Sequence, residues 1–278
     1  MEPDPAEARH ADGRGGAVID LGLRGKRALV TGAGIGIGRG IARWLASAGC
    51  DVMIADRDGA ALEAATSEID REGTRVLPVS VDLRDPANVR TMVATAVEQL
   101  GGLDVAVNNV GSLAGRPTTP FLDADDDYLR DVIEQNLFVT TWCCQAEAAA
   151  MVAAGTEGVI VNVSSGESSR PALNLAPYGA AKAAINHLTS TLAVELAPRG
   201  IRVVAVAPGT TLTPVVKAAL DDATVDRLVA AHPLGRLTEP DDLGRLVVAL
   251  ASDLGRAVTG QLVFGDNGAH LSRNRPAL

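Results

Sequence analysis

Seven short apolar runs alternate along the chain with longer stretches of helical character. Most of these runs are continuous rather than alternating with polar residues, which is typical of parallel strands that are covered on both faces. The stretches between them are rich in Ala, Leu, Glu and Arg. This order predicts an α/β fold built on a doubly wound parallel sheet. The predicted strands are 27–32, 51–56, 75–82, 103–110, 158–165, 201–209 and 261–267, and the predicted helices are 37–48, 59–72, 86–100, 124–153, 177–197 and 239–252.

Length and composition favour one domain with a sizeable core. The chain has 278 residues, 47% of them hydrophobic, and its composition does not change abruptly along its length. We predict a single domain over 21–278, preceded by a disordered tail over 1–20 that starts with an acidic stretch. The segment 210–238 has no clear strand, and we expect it to be a mobile flap over the site.

Charge and cysteine content exclude several classes of protein. The net charge is −9 and no basic stripe is present, which argues against a nucleic-acid partner. No uninterrupted apolar run reaches the length of a membrane span, and the opening stretch lacks the apolar core of a signal peptide. Three cysteines and four scattered histidines show neither a disulfide framework nor the spacing of metal ligands. We therefore expect a cytoplasmic, metal-free protein that binds no membrane.

A glycine-rich turn follows the first predicted strand. The stretch from Thr31 to Gly38 has the pattern T-G-x-x-x-G-x-G and leads into a helix. Glycines at such a turn allow backbone N–H groups to approach a phosphate at the N-terminus of the helix. The alternative is a turn that only packs a helix on a strand. The place of the glycine-rich stretch between the first strand and a helix favours the phosphate-binding interpretation.

Polar side chains at the ends of three further strands are candidates to contact the adenosine ribose and adenine of a dinucleotide, or to brace the loop beside it. Asp56 ends the second strand, where a carboxylate can accept hydrogen bonds from both ribose hydroxyls of an adenosine, although an ordinary turn aspartate is the alternative. Asp82 closes the third strand and is placed to meet the adenine amino group. The sequence NNVG at 108–111 closes the fourth strand, where asparagine side chains can brace the loop beside the cofactor.

A tyrosine and a lysine lie four positions apart in a predicted helix. The chain has only two tyrosines and three lysines, yet Tyr178 and Lys182 share one helix face. We expect the ammonium group to hold the pKa of the phenol below its free value, so that the phenol can act as a base. Ser165 ends the fifth strand, and its hydroxyl can orient a substrate oxygen. Asn136 can extend a proton path. The alternatives are a helix-surface pair for Tyr178 and Lys182, and a helix-bracing amide for Asn136.

Together these motifs resemble the short-chain dehydrogenase/reductase family, in its shorter single-domain branch. The resemblance covers about residues 20 to 270 and includes Thr31 to Gly38, NNVG and Tyr178-x-x-x-Lys182. It implies a Rossmann-like sheet of seven strands with helices on both faces, a nicotinamide cofactor and a Ser-Tyr-Lys-Asn proton relay. A homotetramer or homodimer is also implied.

The resemblance assigns roles to individual residues. Tyr178 would be the acid/base, Ser165 would hold the carbonyl or alcohol oxygen, and Lys182 would also bind the nicotinamide ribose. Asn136 would hold a relay water. The predicted cofactor-binding residues are Gly32, Gly34, Ile35, Gly36, Ile37, Gly38, Asp56, Arg57, Asp82, Leu83, Asn109, Val110, Gly111, Tyr178, Lys182, Pro208, Gly209, Thr211 and Thr213. The predicted substrate pocket consists of Leu113, Glu167, Leu173, Leu175, Thr210 and Leu212.

The residues favour NAD as the cofactor and an apolar alcohol as the substrate. The Asp56 carboxylate can accept a hydrogen bond from a ribose 2′-hydroxyl but repels a 2′-phosphate. Ile35 offers no polar group that could help to bind such a phosphate. Arg57 is the argument for NADP, because its guanidinium could turn towards a 2′-phosphate. The predicted pocket is mostly aliphatic. We therefore predict an NAD-dependent oxidoreductase that interconverts a secondary alcohol and a ketone on a small, largely apolar molecule of terpenoid, steroid-like, cyclic or polyketide type. The alternatives are an NADPH-dependent biosynthetic ketoreductase and a non-catalytic dinucleotide sensor.

Overall fold

The computed structural model describes residues 19–70 and 74–272, and seven strands of this part form one parallel sheet. The strands are β1 (Arg27–Thr31), β2 (Asp51–Asp56), β3 (Val76–Ser80), β4 (Val105–Asn108), β5 (Val159–Val163), β6 (Arg202–Pro208) and β7 (Leu262–Gly265). Their spatial order is β3-β2-β1-β4-β5-β6-β7, and each neighbouring pair is parallel. The predicted seven-stranded Rossmann-like sheet is confirmed. Its topological switch point lies between β1 and β4, where a ligand cleft is expected beyond the strand ends.

Nine α-helices lie in the described part of the chain. They are α1 (Gly36–Ser47), α2 (Gly59–Ile69), α3 (Pro86–Leu100), α4 (Asp126–Ile133), α5 (Val139–Ala154), α6 (Ala176–Leu196), α7 (Pro214–Ala219), α8 (Asp222–Ala231) and α9 (Pro240–Ala251). Apolar residues of α1, α2 and α9 pack with the strands in one buried cluster, and those of α3, α5 and α6 pack in another. The sheet is therefore covered on both faces, which explains why its strands are continuously apolar.

The structure corrects two expectations about helices. The predicted helix 124–153 is interrupted by one π-helical turn, Glu134–Phe138, which separates α4 from α5 and carries the buried Asn136. The segment 210–238, in which no clear strand was predicted, contains α7 and α8, two helices absent from the predicted set; that it is a mobile flap stays a prediction. Short helices of six and ten residues leave little periodic signal in the sequence, which is why they were missed. The predicted tail over 1–20 lies outside the described residues except for 19 and 20.

Within residues 19–70 and 74–272, one continuous helical segment is long and apolar enough to cross a membrane by length and composition alone. It runs from Asp126 to Ala154, with a mean hydropathy of 1.3, and comprises α4, the π turn and α5. Its α5 part buries Val139, Cys143 and Met151 against the core beneath the sheet. We therefore interpret it as a core helix of the domain, since core helices can be equally long and apolar.

A cluster of buried polar side chains connects β4 and β5 with α5 and α6. The side-chain amide of Asn108 donates to Glu147 Oε2 at 2.9 Å and to Asn162 Oδ1 at 3.1 Å, and Asn162 donates to Thr189 at 3.0 Å. Burial raises the pKa of the Glu147 carboxyl to about 7, and the hydrogen bond from Asn108 offsets only part of that effect. Nothing in the sequence pattern predicted a buried carboxyl in this helix.

Candidate active site

A cleft of about 430 Å³ opens at the carboxyl ends of the central strands. It extends from Asp56, the last residue of β2, past the glycine turn, to Tyr178 and Lys182 on α6. This is the switch point of the sheet, where the strand connections diverge to opposite faces. The residues that line it are Gly32, Ile35, Gly36, Ile37, Asp56, Arg57, Asp58, Ala61, Val81, Asp82, Leu83, Asn109, Val110, Gly111, Ser112, Gln135, Val163, Ser164, Tyr178, Lys182, Pro208 and Thr213.

Asn109 braces the glycine turn from the neighbouring strand. Its side-chain amide donates to the carbonyl oxygens of Thr31 and Gly32 at 3.1 and 3.0 Å, and its backbone N–H donates to Thr31 Oγ1 at 3.0 Å. Gly38 packs directly against this arrangement, since a Cβ there would lie 2.2 Å from the Gly32 carbonyl oxygen. Only glycine allows α1 to begin this close to β1, which leaves the N-terminus of α1 open to the cleft.

The Asp56 carboxylate lies against the glycine turn at the other end of the cleft. Its Oδ2 accepts a hydrogen bond from the backbone N–H of Gly34 at 3.0 Å, and its Oδ1 accepts one from the backbone N–H of Asp58 at 3.2 Å. These contacts hold the carboxylate in place and leave it further lone pairs. The side chain of Arg57 is exposed and lines the same end of the cleft. This end can accept a ribose, with Asp82 and Leu83 on the adjacent wall.

Ser165 and Tyr178 are joined by a hydrogen bond between their side chains. The Ser165 hydroxyl also accepts a hydrogen bond from the backbone N–H of Glu167 at 3.2 Å, which fixes its position after β5. Burial raises the pKa of the Tyr178 phenol above its ordinary value; the hydrogen bond with Ser165 lowers it in part, and the nearby Glu167 carboxylate raises it further. A phenol and a hydroxyl in this arrangement can bind one substrate oxygen and exchange a proton with it.

Lys182 is buried and is held by a backbone carbonyl rather than by the phenol. Its Nζ donates to the Val163 carbonyl oxygen at 2.9 Å and lies 5.7 Å from the centroid of the Tyr178 ring. Burial lowers the pKa of Lys182 to about 8. The expectation that Lys182 holds the pKa of the phenol below its free value is therefore wrong for this structure. Loss of water around Tyr178 outweighs the attraction of an ammonium group at this distance.

Asn136 is fully buried in the π turn and points into the same region. Its amide nitrogen donates to the carbonyl oxygens of Ser112 and Val132 at 2.7 and 2.8 Å. Its Oδ1 has no hydrogen-bond partner among the described residues. A Cβ on Gly111 would lie 2.6 Å from that oxygen and 2.7 Å from Lys182 Nζ. The geometry suits a relay in which the free Oδ1 accepts a proton donor beside the ammonium group.

Thr213, the residue directly before α7, lies against the glycine turn. Thr213 caps α7 by accepting a hydrogen bond from the backbone N–H of Val216 at 3.3 Å, and it also lines the cleft. A Cβ on Gly36 would lie 3.1 Å from Thr213 Cγ2, so the two chain segments are in close contact. The segment after β6 therefore forms one wall of the cleft, next to Pro208.

Several predicted residues lie away from the cleft. Thr211 is buried and its hydroxyl donates to the Gly209 carbonyl oxygen at 3.0 Å. Gly34 does not line the cleft; its backbone N–H donates a hydrogen bond to Asp56, which does. Of the predicted pocket, Glu167 and Thr210 line a separate small cavity together with Gly209, whereas Leu173 is 81% exposed. Neither the cleft nor the small cavity is lined by Leu113, Leu173, Leu175 or Leu212.

Some lining residues were missed by the sequence analysis. Each of them lies next to a predicted residue along the chain or within a few positions of one, and this proximity was the signal that the sequence offered. Ser164 is the clearest example, because its hydroxyl lies 2.6 Å from Asn186 Oδ1 and 3.2 Å from the Lys182 carbonyl oxygen and so ties β5 to α6. The others are Asp58, Ala61, Val81, Ser112, Gln135 and Val163. Among the described residues no group of three or more His, Cys, Asp or Glu side chains could hold a metal ion.

Comparison with known proteins gives a consistent result over nearly the whole chain. A family described as Enoyl-(Acyl carrier protein) reductase matches residues 32–270. A short chain dehydrogenase/reductase of Aspergillus oryzae is 36% identical over 90% of this chain and 96% of that protein. An L-rhamnose 1-dehydrogenase (NAD(P)(+)) of Sphingomonas sp. is 38% identical over 90% of this chain and 98% of that protein.

A solved structure extends the comparison to the fold. It is that of a 7 alpha-hydroxysteroid dehydrogenase complexed with NADH and 7-oxo glycochenodeoxycholic acid, and it superposes with a TM-score of 0.85 at 30% identity. The match covers 92% of this chain and 97% of the other. These relatives support a dehydrogenase or reductase of alcohols with a Rossmann-type nucleotide-binding fold. The glycine turn, Tyr178 and Lys182 line one cleft, and Ser165 is hydrogen-bonded to Tyr178. With these matches over nearly the whole chain, the chain belongs to the short-chain dehydrogenase/reductase family.

Proposed function

We propose that the protein is an NAD-dependent dehydrogenase that interconverts a secondary alcohol and a ketone on a small organic molecule with a largely apolar body. The observation that carries this proposal is the meeting of Tyr178, Ser165 and Lys182 at the end of the cleft opposite Asp56. A hydroxyl and a phenol at this point can bind the same substrate oxygen. The solved relative bound to 7-oxo glycochenodeoxycholic acid, a steroid, supports a cyclic substrate.

The cleft has the features that a nicotinamide dinucleotide requires. The glycine turn presents backbone N–H groups at the start of α1 for the phosphates. Asp56 offers acceptors to the adenosine ribose, and Lys182 Nζ lies at the other end for the second ribose. When bound, the nicotinamide supplies the acceptor or donor of the hydride. Asp56 supports NAD over NADP, because its carboxylate would face the charge of a 2′-phosphate.

The residues of this chain handle the proton. In the direction of oxidation, the Tyr178 phenolate would accept the proton of the alcohol while Ser165 holds the same oxygen by a hydrogen bond. The proton would then pass towards Lys182 and the region of Asn136 Oδ1. In reduction the same groups would act in reverse, with Tyr178 as the acid.

A test requires the purified protein, NAD or NADP, and a panel of secondary alcohols, with absorbance followed at the band of the reduced nicotinamide. We expect reduction of NAD that depends on the alcohol. A protein that binds the dinucleotide and turns over no alcohol or ketone in the panel would support the sensor alternative instead. The NADPH-dependent ketoreductase alternative predicts the opposite cofactor preference.

We also propose a homo-oligomer, a homotetramer or homodimer. A groove of about 660 Å³ between α3 and α5 supports it, because it is lined largely by apolar side chains such as Val93, Val97 and Trp142. Sedimentation equilibrium of the protein and of a Trp142→Glu variant tests the proposal; a monomeric unmutated protein contradicts it. The cytoplasmic location stays a prediction.

A further inference from the structure

Asn186 lies on α6, one helical turn beyond Lys182. Tyr178, Lys182 and Asn186 follow one another at intervals of four residues, and side chains at this spacing share one face of a helix. Asn186 is half-buried and is not among the residues that line the cofactor cleft. The partners of its side chain lie instead in the segment that follows β5, residues 164–168, which we call the serine turn.

The Asn186 amide is hydrogen-bonded at both ends to the serine turn. Its Oδ1 accepts a hydrogen bond from the Ser164 hydroxyl at 2.6 Å, and its Nδ2 donates one to the Ser168 hydroxyl oxygen at 2.8 Å. Ser168 in turn donates to the Ser165 carbonyl oxygen at 2.6 Å. Because a carbonyl oxygen can only accept, the Ser168 hydroxyl oxygen must accept from Asn186, so the nitrogen of the amide faces it. The three hydrogen bonds therefore form one chain in which every donor and acceptor is consistent.

This chain of hydrogen bonds attaches Ser165 to α6 from both sides. Ser164 precedes Ser165, and Ser168 holds its carbonyl oxygen. Ser165 is also attached to α6 by its own hydrogen bond with Tyr178. A substrate oxygen bound by Ser165 and Tyr178 would take the place of that second attachment, because each hydroxyl would then turn towards the substrate. The bonds of the Asn186 amide can persist during that exchange.

We propose that Asn186 is a positioning residue for the dehydrogenase reaction, and that its amide holds the serine turn on α6 so that the Ser165 hydroxyl stays within reach of a substrate oxygen beside Tyr178. The inference rests on the proposed function, since it presupposes a substrate oxygen at these two hydroxyls. Asn186 acts through Ser165 and contacts no reacting group. A misplacement of such a group by about 1 Å can cost roughly 100-fold in rate.

Two substitutions break this attachment without changing a residue that lines the cleft. Asn186→Leu roughly keeps the size of the side chain and suits a helix better than asparagine does, but it removes both hydrogen bonds. Ser168→Ala removes the hydroxyl through which Asn186 reaches Ser165, and it is the smaller change should Asn186→Leu fold poorly. The matched control is Ser169→Ala, since the Ser169 hydroxyl is exposed and donates to the Gly166 carbonyl oxygen at 3.2 Å.

We expect Asn186→Leu to lower kcat by at least about tenfold and to leave the KM for NAD within about twofold of its original value, because the proposed cofactor contacts at the glycine turn and Asp56 do not depend on Ser165. Ser168→Ala should also lower kcat, and Ser169→Ala should leave it unchanged. A kcat that stays at its original value in Asn186→Leu, or that falls equally in Ser169→Ala, would overturn the inference.

A double-mutant cycle with Ser165→Ala separates positioning from a general loss of structure. If Asn186 acts through the Ser165 hydroxyl, Asn186→Leu should change kcat by less than about twofold once that hydroxyl is absent. A residue that only stabilises the fold would cost the same factor in both backgrounds, and that result contradicts a positioning role.

Hydrogen exchange followed by mass spectrometry gives a readout that needs no turnover. The backbone N–H of Glu167 donates to Ser165 Oγ at 3.2 Å, and that of Ser168 donates to the Ser165 carbonyl oxygen at 3.0 Å. Both should exchange at least about tenfold faster in Asn186→Leu than in the unmutated protein or in Ser169→Ala. Unchanged exchange contradicts the inference even where kcat falls. If the unmutated protein turns over no alcohol or ketone, the proposed function fails, and the exchange rates still decide whether Asn186 holds the serine turn.

Discussion

The side-chain oxygen of Asn136 and the ammonium group of Lys182 converge on one face of Gly111. A Cβ at position 111 would lie 2.6 Å from the first atom and 2.7 Å from the second. The two residues come from different elements, the π turn after α4 and the helix α6, and both groups can approach position 111 because glycine has no side chain there. Gly111, which follows shortly after β4, therefore leaves the space that the two groups of the proposed relay require.

Gly111→Ala should disturb both groups at once. We expect kcat/KM to fall by at least about tenfold, because an added methyl would push Asn136 and Lys182 out of position by a distance that typically costs this much or more. Steady-state kinetics checks this result. Gly59→Ala is the matched control, since a Cβ there meets nothing within 4 Å. Full activity of the Gly111→Ala variant would show that the two groups need not converge.

Tyr178→Phe should abolish most turnover. The substitution keeps the ring and removes the group that exchanges the proton, so kcat should fall by about 10²–10⁴ while NAD still binds. The chain supplies its own control, because Tyr128, its other tyrosine, is buried on α4 and its hydroxyl has no hydrogen-bond partner among the described residues. Tyr128→Phe should leave kcat unchanged. Retained activity of Tyr178→Phe would rule out Tyr178 as the acid/base.

The pH dependence of alcohol oxidation should show an alkaline limb. Burial raises the pKa of Tyr178, so the phenolate that accepts the proton becomes populated only as the pH rises, and the rate should rise with it. Burial lowers the pKa of Lys182 to about 8, so this side chain is largely neutral in the range where the phenol titrates. Lys182→Met should therefore weaken NAD binding and leave the alkaline limb in place. Rate profiles of both proteins against pH test this, and a limb that moves to higher pH in Lys182→Met would show that the lysine keeps its charge beside the phenol.

Cofactor preference should depend on Asp56. We expect kcat/KM with NAD to exceed that with NADP by at least about tenfold, because the carboxylate repels a 2′-phosphate of roughly two negative charges. Asp56→Ala should narrow or reverse the ratio, since it removes the repulsion and leaves Arg57 free to approach the phosphate. Kinetics with both cofactors measures this. An equal or better rate with NADP in the unmutated protein would contradict the assignment of NAD.

Glu147 should make the folded protein less stable as the pH rises through the weakly acidic range. Its pKa is raised from 4.5 to about 7 in the fold. The folded state therefore binds more protons than the unfolded state between these values, and the free energy of unfolding falls across this window and then levels off. The loss is about 3 kcal/mol. Chemical denaturation at several pH values should show a flatter curve for Glu147→Gln. The exposed Glu63→Gln control should keep the original slope, and an unchanged slope in Glu147→Gln would contradict the assignment.

Local pattern in the sequence was sufficient for the sheet and for most of the site. The seven apolar runs predicted all seven strands, because strands buried on both faces need continuous apolar side chains. The glycine turn and the pairing of Tyr178 with Lys182 were also readable, since both depend on spacing along one segment of backbone. The predicted Rossmann-like fold and family are confirmed; the roles of the individual site residues stay predictions.

Relations between distant segments were decided by the tertiary structure alone. The convergence of Asn136 and Lys182 on Gly111 joins parts of the chain that no periodicity connects. The burial that raises the pKa of Tyr178 likewise comes from packing of the fold around it. The same holds for Leu173, which the sequence placed in the pocket and the fold leaves at the surface. A side chain's type and spacing are local properties, whereas its solvation and its partners depend on which other elements pack against it, and only the folded chain specifies those.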